Sequence, residues 1–201
     1  MSTTSVEKIA PVIRPARKSD AASLAILVDI AGEGMPVYLW SSMRAPGQSA
    51  MEVGRARAAR EEGGFSYRNT LVAEIEGGVA AILVDYKLAD PYDTSDLAKL
   101  PDIVRPLVEL ESTAPGSWYV NILATFSEYR GQGLGRRLLA IAEQRGRDNG
   151  ARQASIIVAS DNKGAARLYE RTGFKEIARR PVLEFPGCAH GGDWVMMVKP
   201  L

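Results

Sequence analysis

The 201-residue chain has little cysteine, little histidine and little net charge. Its single cysteine, Cys188, excludes an internal disulfide framework and fits a reducing compartment. A formal net charge of +1 argues against a general nucleic-acid binder. No apolar run approaches the roughly 20 residues that a membrane span needs. We also predict no metal site from the sequence. We therefore expect a soluble, cytoplasmic protein without a nucleic-acid or membrane partner.

What is present suits an ordinary globular domain. Hydrophobic residues make up 46% of the chain and charged residues 24%. The first residues lack an apolar signal-peptide core, so we expect residues 1–11 to be a flexible N-terminus. Residues 12–201 suit a single domain. Within it, residues 87–116 contain four prolines and form an irregular insertion, with one or two short helices between 95 and 111.

Hydrophobic periodicity and turn residues predict a mixed order of strands and helices. A capping box at Ser49–Glu52 opens one helix, and residues 31–40 form a glycine-broken loop followed by an aromatic segment. The apolar run at 155–159 indicates a strand covered on both faces. Strands are predicted at 12–16, 70–76, 79–86, 118–124, 155–159, 174–180 and 194–199, and helices at 20–30, 49–62, 133–149 and 163–172. This order predicts an α/β (α+β) fold, in which one mixed, mostly antiparallel sheet is flanked by helices and contains one parallel βαβ crossover.

The stretch YRGQGLG, Tyr129 to Gly135, is a glycine loop between a strand and a helix. It fails the dinucleotide fingerprint because Arg136 occupies the third glycine position, and it is not a Walker loop. Glycines nevertheless let a ligand approach the backbone, and the first N–H groups of a helix attract anions. Six arginines against three acidic residues between 125 and 152 strengthen that attraction. The alternative is a tight turn whose glycines only ease packing.

A second constellation, DNKGAARLYERTGF, follows the buried strand. Asn162 and Tyr169 are seven residues apart, close to two helical turns, so both side chains point to the same side of the helix. That side faces the end of the strand, where ligands of α/β folds bind. The alternative is that Asn162 only caps the helix, while Tyr169 packs in the core with Leu168 and Phe174.

Together, the two motifs resemble the GNAT superfamily of acyl-CoA-dependent N-acetyltransferases. The family pattern R/Q-x-x-G-x-G/A matches Arg130, Gly133 and Gly135. The pattern N-x-x-A-x-x-x-Y-x-x-x-G-F matches Asn162, Ala165, Tyr169, Gly173 and Phe174. The similarity is specific from about Val120 to Phe174. From Val12 to Tyr86 only the order of elements agrees.

The resemblance implies that acetyl-CoA is the co-substrate and that an amine is the acceptor. The amine would attack the thioester directly while both are bound in a ternary complex. Asn162 would bond the pantetheine arm, and Tyr169 would protonate the leaving thiolate as general acid. A strand N–H would also polarise the thioester carbonyl. The implied cofactor-binding residues are Leu123, Ala124 and Thr125 for the pantetheine arm, and Arg130, Gly131, Gln132, Gly133, Leu134, Gly135 and Arg136 around the pyrophosphate.

The general base is not fixed by the resemblance, because Asn121 stands where many relatives carry a glutamate. Glu33, Glu109 and Glu111 are unranked substitutes, and a water chain remains open. His190, the only histidine, is a further candidate, since its ordinary pKa is near neutrality. A covalent role for Cys188 is not favoured, because no activating partner is evident.

The acceptor is expected to be a small-molecule primary amine, although an amino sugar or a protein amine fits the same chemistry. Seven acidic against three basic residues between 85 and 117 suggest an acidic mouth that attracts cations. Met35, Tyr38, Trp40 and Trp118 could wall that mouth or belong to the core. A homodimer is compatible with the family. The alternative function is a non-catalytic acyl-CoA-binding regulatory module, which Asn121 favours and Tyr169 opposes.

Overall fold

The computed structural model describes residues 10–189 and 191–201, so the predictions for residues 1–9 and for His190 lie outside it. Within the described residues, the strands are β1 (Val12–Pro15), β2 (Thr70–Ile75), β3 (Gly78–Lys87), β4 (Trp118–Thr125), β5 (Gln153–Ala159), β6 (Lys175–Pro181) and β7 (Asp193–Pro200). The α-helices are α1 (Ala21–Ala31), α2 (Met35–Ser41), α3 (Ala50–Ala58), α4 (Arg105–Glu111), α5 (Leu134–Asp148) and α6 (Lys163–Arg171).

All seven described strands belong to one sheet in the order β1-β2-β3-β4-β5-β7-β6. The β4–β5 pair is parallel, and the other neighbouring pairs are antiparallel. Helix α5 connects the two parallel strands, as a crossover of this kind requires. The predicted fold class, a mostly antiparallel mixed sheet with one βαβ unit, is confirmed.

The parallel pair is short, and the two strands separate along their second halves. β4 and β5 pair only from Trp118 to Val120, although β4 runs on to Thr125. In the register with β3, Val84 faces Ile122 while Asp85 faces Val120, which leaves Asn121 as the extra residue of a β-bulge. A bulge bends the strand that carries it. The bend therefore begins where the pairing with β5 ends, and it opens a gap in the sheet.

Helices cover both faces of the sheet. On one face, α5 buries an apolar stripe that includes Leu134, Leu138 and Leu139 against Val120 and Ile156. On the other face, α1 and α3 pack over β2 and β3, while α2 and α4 pack with the far strands. The predicted stripe of α5 is confirmed, including the stem of its arginine: Arg145 lies over the ring of Trp118.

The region before the hairpin differs from the prediction in two places. Residues 35–41 form helix α2 rather than an irregular aromatic segment, because Gly34 turns the chain with φ 86° and a proline in the first turn favours helix. The capping box of α3 is confirmed, with the Ser49 hydroxyl accepting from the Glu52 N–H at 3.2 Å. α3 ends at Ala58 rather than near Glu62.

The insertion is anchored to the sheet by a half-buried carboxylate. Helix α4 packs against β6 and β7, and Glu111 at its end accepts hydrogen bonds from the hydroxyls of Tyr92 and Tyr119. Burial raises the pKa of Glu111 above its ordinary value.

No single helix within residues 10–189 and 191–201 is both long enough and apolar enough to cross a membrane. The segments Lys18–Ala31 and Met35–Ser41 reach that length and apolarity only when taken together, and they are bent by 114° relative to each other.

Candidate active site

A cavity of about 890 Å³ occupies the gap between β4 and β5. Six segments converge on it: the end of β4, the glycine loop, the end of β5, α6, and the α1–α2 and β6–β7 loops. The predicted site residues that line it are Leu123, Ala124, Thr125, Arg130, Gly131, Gly133, Leu134, Gly135, Arg136, Asn162 and Tyr169. Gln132 is absent from this lining, and its side-chain amide lies 3.4 Å from the Glu128 carbonyl oxygen.

The glycine loop combines a left-handed backbone with a helix N-terminus. Gly131 and Gly133 have φ values of 72° and 80°, a region that other residues rarely adopt. Apart from the adjoining residues, no atom of the described part of the chain lies within 4 Å of where a Cβ would stand at either glycine, so the loop backbone is open to a ligand. A Cβ on Gly135 would stand 3.2 Å from Leu168, so this glycine allows α5 to pack closely on α6. The loop can hold an anion.

The edge of β4 offers backbone hydrogen-bonding groups to the cavity. The Phe126 N–H donates to the Ala80 carbonyl of β3 at 3.0 Å. Because the direction of the backbone N–H and C=O groups alternates along a strand, those of Ala124 also point towards β3. Leu123 and Thr125 then face the gap left by β5. The Thr125 carbonyl accepts from the Arg130 guanidinium at 3.2 Å. An extended ligand can pair with this edge as an added strand would.

Asn162 joins α6 to the α1–α2 loop. Its side-chain oxygen accepts from the Ala165 N–H at 3.1 Å, which makes it the N-cap of α6. Its amide nitrogen donates to Glu33 Oε1 at 2.8 Å. Asn162 therefore both caps α6 and lines the cavity. Two of the hydrogen-bonding positions of its side chain already have protein partners.

Glu33 is buried at the point where two loops meet. It is only 5% exposed and has a φ of 58°, a conformation that costs a non-glycine residue energy and is found most often at functional sites. Its carbonyl oxygen accepts from the Ala189 N–H at 3.0 Å. A Cβ on Gly34 would collide with the Gly187 carbonyl, so this glycine lets the α1–α2 and β6–β7 loops touch beside the cavity.

Tyr169 lies in the core and in the cavity lining at once. It is 5% exposed, and its ring packs at a tilt against Phe174 with 6.2 Å between centroids. Burial, and secondarily the negative charge of Glu33, raise the pKa of its hydroxyl. Because both effects disfavour the phenolate, Tyr169 keeps its proton at neutral pH and can act as a donor.

The other acidic base candidates, Glu109 and Glu111, lie elsewhere. Glu109 forms a 2.6 Å ion pair with Arg180, and Glu111 is held by its tyrosines. Neither they nor Asn121 belong to the cavity lining. Cys188 packs with the apolar cluster of α2 and α4. Of the three carboxylates named as base candidates, Glu33 is the one that lines the cavity.

The acceptor side of the cavity also differs from the sequence prediction. None of the described lining residues belongs to 87–116, so the predicted acidic mouth does not form there. Met35, Trp40 and Trp118 lie in three separate core clusters, which agrees with the core alternative. The sequence arguments missed the lining residues Asp29, Ile157 and Trp194. For Asp29 the available signal was an acidic residue in the last turn of an apolar helix, just before Gly-Glu-Gly.

A sheet that splits beside a glycine loop and a helix N-terminus defines a protein that can hold an extended ligand with a phosphate end. The sequence model of the acetyltransferase (GNAT) family matches residues 54–174, which is more than half of the chain. The chain therefore belongs to the GNAT family of acetyltransferases, which uses acetyl-CoA. The resemblance to the family is confirmed, and so is the predicted enzyme class, acyltransferase.

Individual relatives match over shorter stretches. An uncharacterized N-acetyltransferase, YycN of Bacillus subtilis (strain 168), is 41% identical over 51 residues, or 25% of this chain and 33% of the relative. Acetyltransferase Atu2258 of Agrobacterium fabrum (strain C58 / ATCC 33970) is 43% identical over 65 residues, or 32% and 46%. The matches thus span less than half of either relative.

Among solved structures, the polyamine N-acetyltransferase of Drosophila melanogaster, described as an enzyme that forms N-acetylagmatine, superposes with a TM-score of 0.61. The superposition covers 95% of this chain and all of that one, at 19% identity. At that identity the likeness supports the fold.

Proposed function

We propose that this protein transfers the acetyl group of acetyl-CoA to the primary amine of a small molecule by direct attack in a ternary complex. The observation that carries the proposal is that Glu33 and Tyr169 line the same cavity, close enough for the charge of Glu33 to raise the pKa of Tyr169. Family membership supports the acetyl donor. The cavity combines a binding loop for phosphates with a proton acceptor and a proton donor.

The donor-binding residues are those that line one side of the gap. The N–H groups from Arg130 to Gly135 would hold the pyrophosphate, aided by the charges of Arg130 and Arg136. The backbone of Leu123 and Thr125 would pair with the pantetheine arm, and the Leu123 N–H would polarise the thioester carbonyl. Asn162 retains one amide hydrogen and one lone pair for the same ligand.

The chemistry then needs three proton movements, and the chain has a residue for two of them. Bound acetyl-CoA supplies a thioester that a neutral amine can attack, with cleavage of the carbon–sulfur bond. Glu33 takes one proton from the amine, which is mostly protonated at neutral pH. Tyr169 gives its proton to the departing thiolate, and the attacking nitrogen loses its second proton to solvent as the amide forms. A proton passing through solvent from Glu33 to Tyr169 restores both groups, so each turnover releases one proton.

Two features support a small acceptor rather than a protein. The α1–α2 and β6–β7 loops are held together beside the cavity, by the bond from Ala189 to Glu33 and by the contact of Tyr38 with Phe185. A wall formed by two linked loops on this side of the cavity favours a slender amine over a folded chain. The fly neighbour, by its description, also acts on a small amine. The expected cytoplasmic location and the homodimer stay predictions from the sequence.

The test is a free-thiol assay with acetyl-CoA and a panel of primary amines, run beside calorimetric titration of CoA. Thiol release that requires an amine, together with mass spectrometry of the acetylated amine, would support the proposal. Saturable CoA binding without amine-dependent thiol release would instead favour the non-catalytic module. Buried Glu33 weakens that alternative, because it supplies the carboxylate that Asn121 does not.

A further inference from the structure

Asp29 is a half-buried carboxylate in the cavity lining that the proposed transfer does not use. It lies in the last turn of α1, and its Oδ1 accepts from the Val37 N–H at 2.9 Å. That bond fixes the direction of the side chain. Within the described residues, no lysine or arginine forms an ion pair with Asp29. Burial raises its pKa, and no neighbouring cation offsets that cost.

Three other shielded carboxylates have cationic partners, while Glu111 accepts from two tyrosine hydroxyls. Asp20 lies 2.8 Å from Arg14, Glu143 lies 2.7 Å from Lys199, and Asp85 lies 3.0 Å from Arg145. Such pairing is the usual condition for removing a carboxylate from water. Asp29 differs because it is shielded on a cavity wall while its charge is left without a partner.

The surroundings of Asp29 increase the negative potential at this wall. The carbonyl end of a helix carries a partial negative charge, and basic residues usually offset it. The last turn of α1 contains no basic residue. Glu33, four residues further along, lines the same cavity. Three sources of negative charge therefore act on whatever occupies this part of the cavity.

We infer that the acceptor carries a second cationic group besides the amine that is acetylated, and that Asp29 with the carbonyl end of α1 binds it. The inference rests on the proposed function and names its substrate class: alkyl diamines and aminoalkyl guanidines. One amine reaches Glu33 and the thioester, while the distal cation pairs with the free oxygen of Asp29. Asp29 is thus a specificity residue rather than a catalytic one.

The test compares matched acceptors that differ only in the distal charge. Alkane diamines with three to six carbons are assayed against the monoamines of the same length, using the wild-type chain and the variant Asp29→Asn. Asparagine keeps an oxygen for the Val37 N–H and removes the charge. A hydrogen-bonded ion pair corresponds to about 10- to 100-fold in affinity. We expect Asp29→Asn to lower kcat/KM for the best diamine by that factor, mainly through KM, and to change the monoamine by less than about threefold.

Asp148→Asn, an exposed substitution on α5 outside the cavity lining, is the matched control. It should leave both amines unchanged. Calorimetric binding of the best diamine to the CoA complex gives a readout without turnover, and Asp29→Asn should weaken it by the same factor. If no amine is acetylated but the diamine binds through Asp29, the proposed function fails while the cation-binding role of Asp29 stands. Equal use of diamines and monoamines, or equal losses for both in the variant, would overturn it.

Discussion

Glu33→Gln is the substitution that most directly separates catalysis from structure in this site. The buried Glu33 side chain accepts from Asn162 at 2.8 Å, and glutamine retains an oxygen for that bond. The variant should therefore keep the link between the α1–α2 loop and α6. The proton acceptor, in contrast, is removed completely, because an amide cannot take a proton from an ammonium group.

General base catalysis contributes about 10²- to 10⁴-fold to a rate. We therefore expect kcat to fall by that factor at pH 7, equivalent to about 3–5 kcal/mol in the barrier. The measurement is the amine-dependent thiol-release rate at saturating acetyl-CoA, from pH 6 to pH 10. The deficit should shrink as the pH approaches the pKa of the amine, because a neutral amine no longer needs the base.

Glu76→Gln provides the matched control. Glu76 has a φ of 51°, the same unusual backbone region as Glu33, but lies exposed in the β2–β3 turn, away from the cavity. This control should keep full activity, which separates the chemistry of the carboxylate from the backbone conformation. If Glu33→Gln kept kcat within about threefold of wild type across the pH range, Glu33 would not be the base.

Three further outcomes follow from buried polar groups. Tyr169→Phe should lower kcat about 10²-fold or more with CoA affinity within about twofold, because its proton is needed only in the transition state; steady-state kinetics and calorimetry measure the two effects. Glu111→Gln should flatten the pH dependence of the melting temperature: burial raises the Glu111 pKa, so stability is full below its ordinary value of 4.5 and is lost as pH rises through the folded pKa. Trp118→Phe should lower the free energy of unfolding by about 1–3 kcal/mol in urea titrations, because it deprives buried Asp85 of a 2.7 Å hydrogen bond.

Each of these outcomes has a control within the chain. Tyr129→Phe, also in the cavity lining, should keep kcat, and an equal loss there would remove the special role of Tyr169. Ser112→Ala, next to Glu111, removes no titrating group and should leave the slope of melting temperature against pH unchanged. Trp194→Phe removes a buried indole N–H that has no hydrogen-bond partner among the described residues, so it should cost less than Trp118→Phe. Equal costs would mean that the bond to Asp85 adds nothing.

Local patterns predicted most of the elements because their causes are local. The capping box at Ser49, the hairpin around Gly77 and the apolar run of β5 depend on residues close in sequence, and all three were found. Helix α2 was missed. Its aromatic residues suit a strand as well as a helix, and burial against two different core clusters decides the conformation.

The donor side of the site was accessible to sequence reasoning for the same reason. The loop Arg130–Gly135, the strand before it and the pair Asn162 and Tyr169 lie in one continuous βαβα segment. Spacing along the chain therefore fixes their relation in space. Of the predicted donor-side residues, the structure leaves Gln132 outside the cavity lining.

The acceptor side was decided only by tertiary structure. In the sequence, Glu33 is an acidic residue between two glycines and Asp29 lies three positions before the first of them. Seven acidic residues between 85 and 117 carried an equally strong signal. The bulge at Asn121 opens the sheet, and the touching α1–α2 and β6–β7 loops then bring Glu33 to Asn162, 129 positions away. Charge along a sequence shows which residues can act as acids or bases. Burial and contact across the fold decide which of them meet in one cavity.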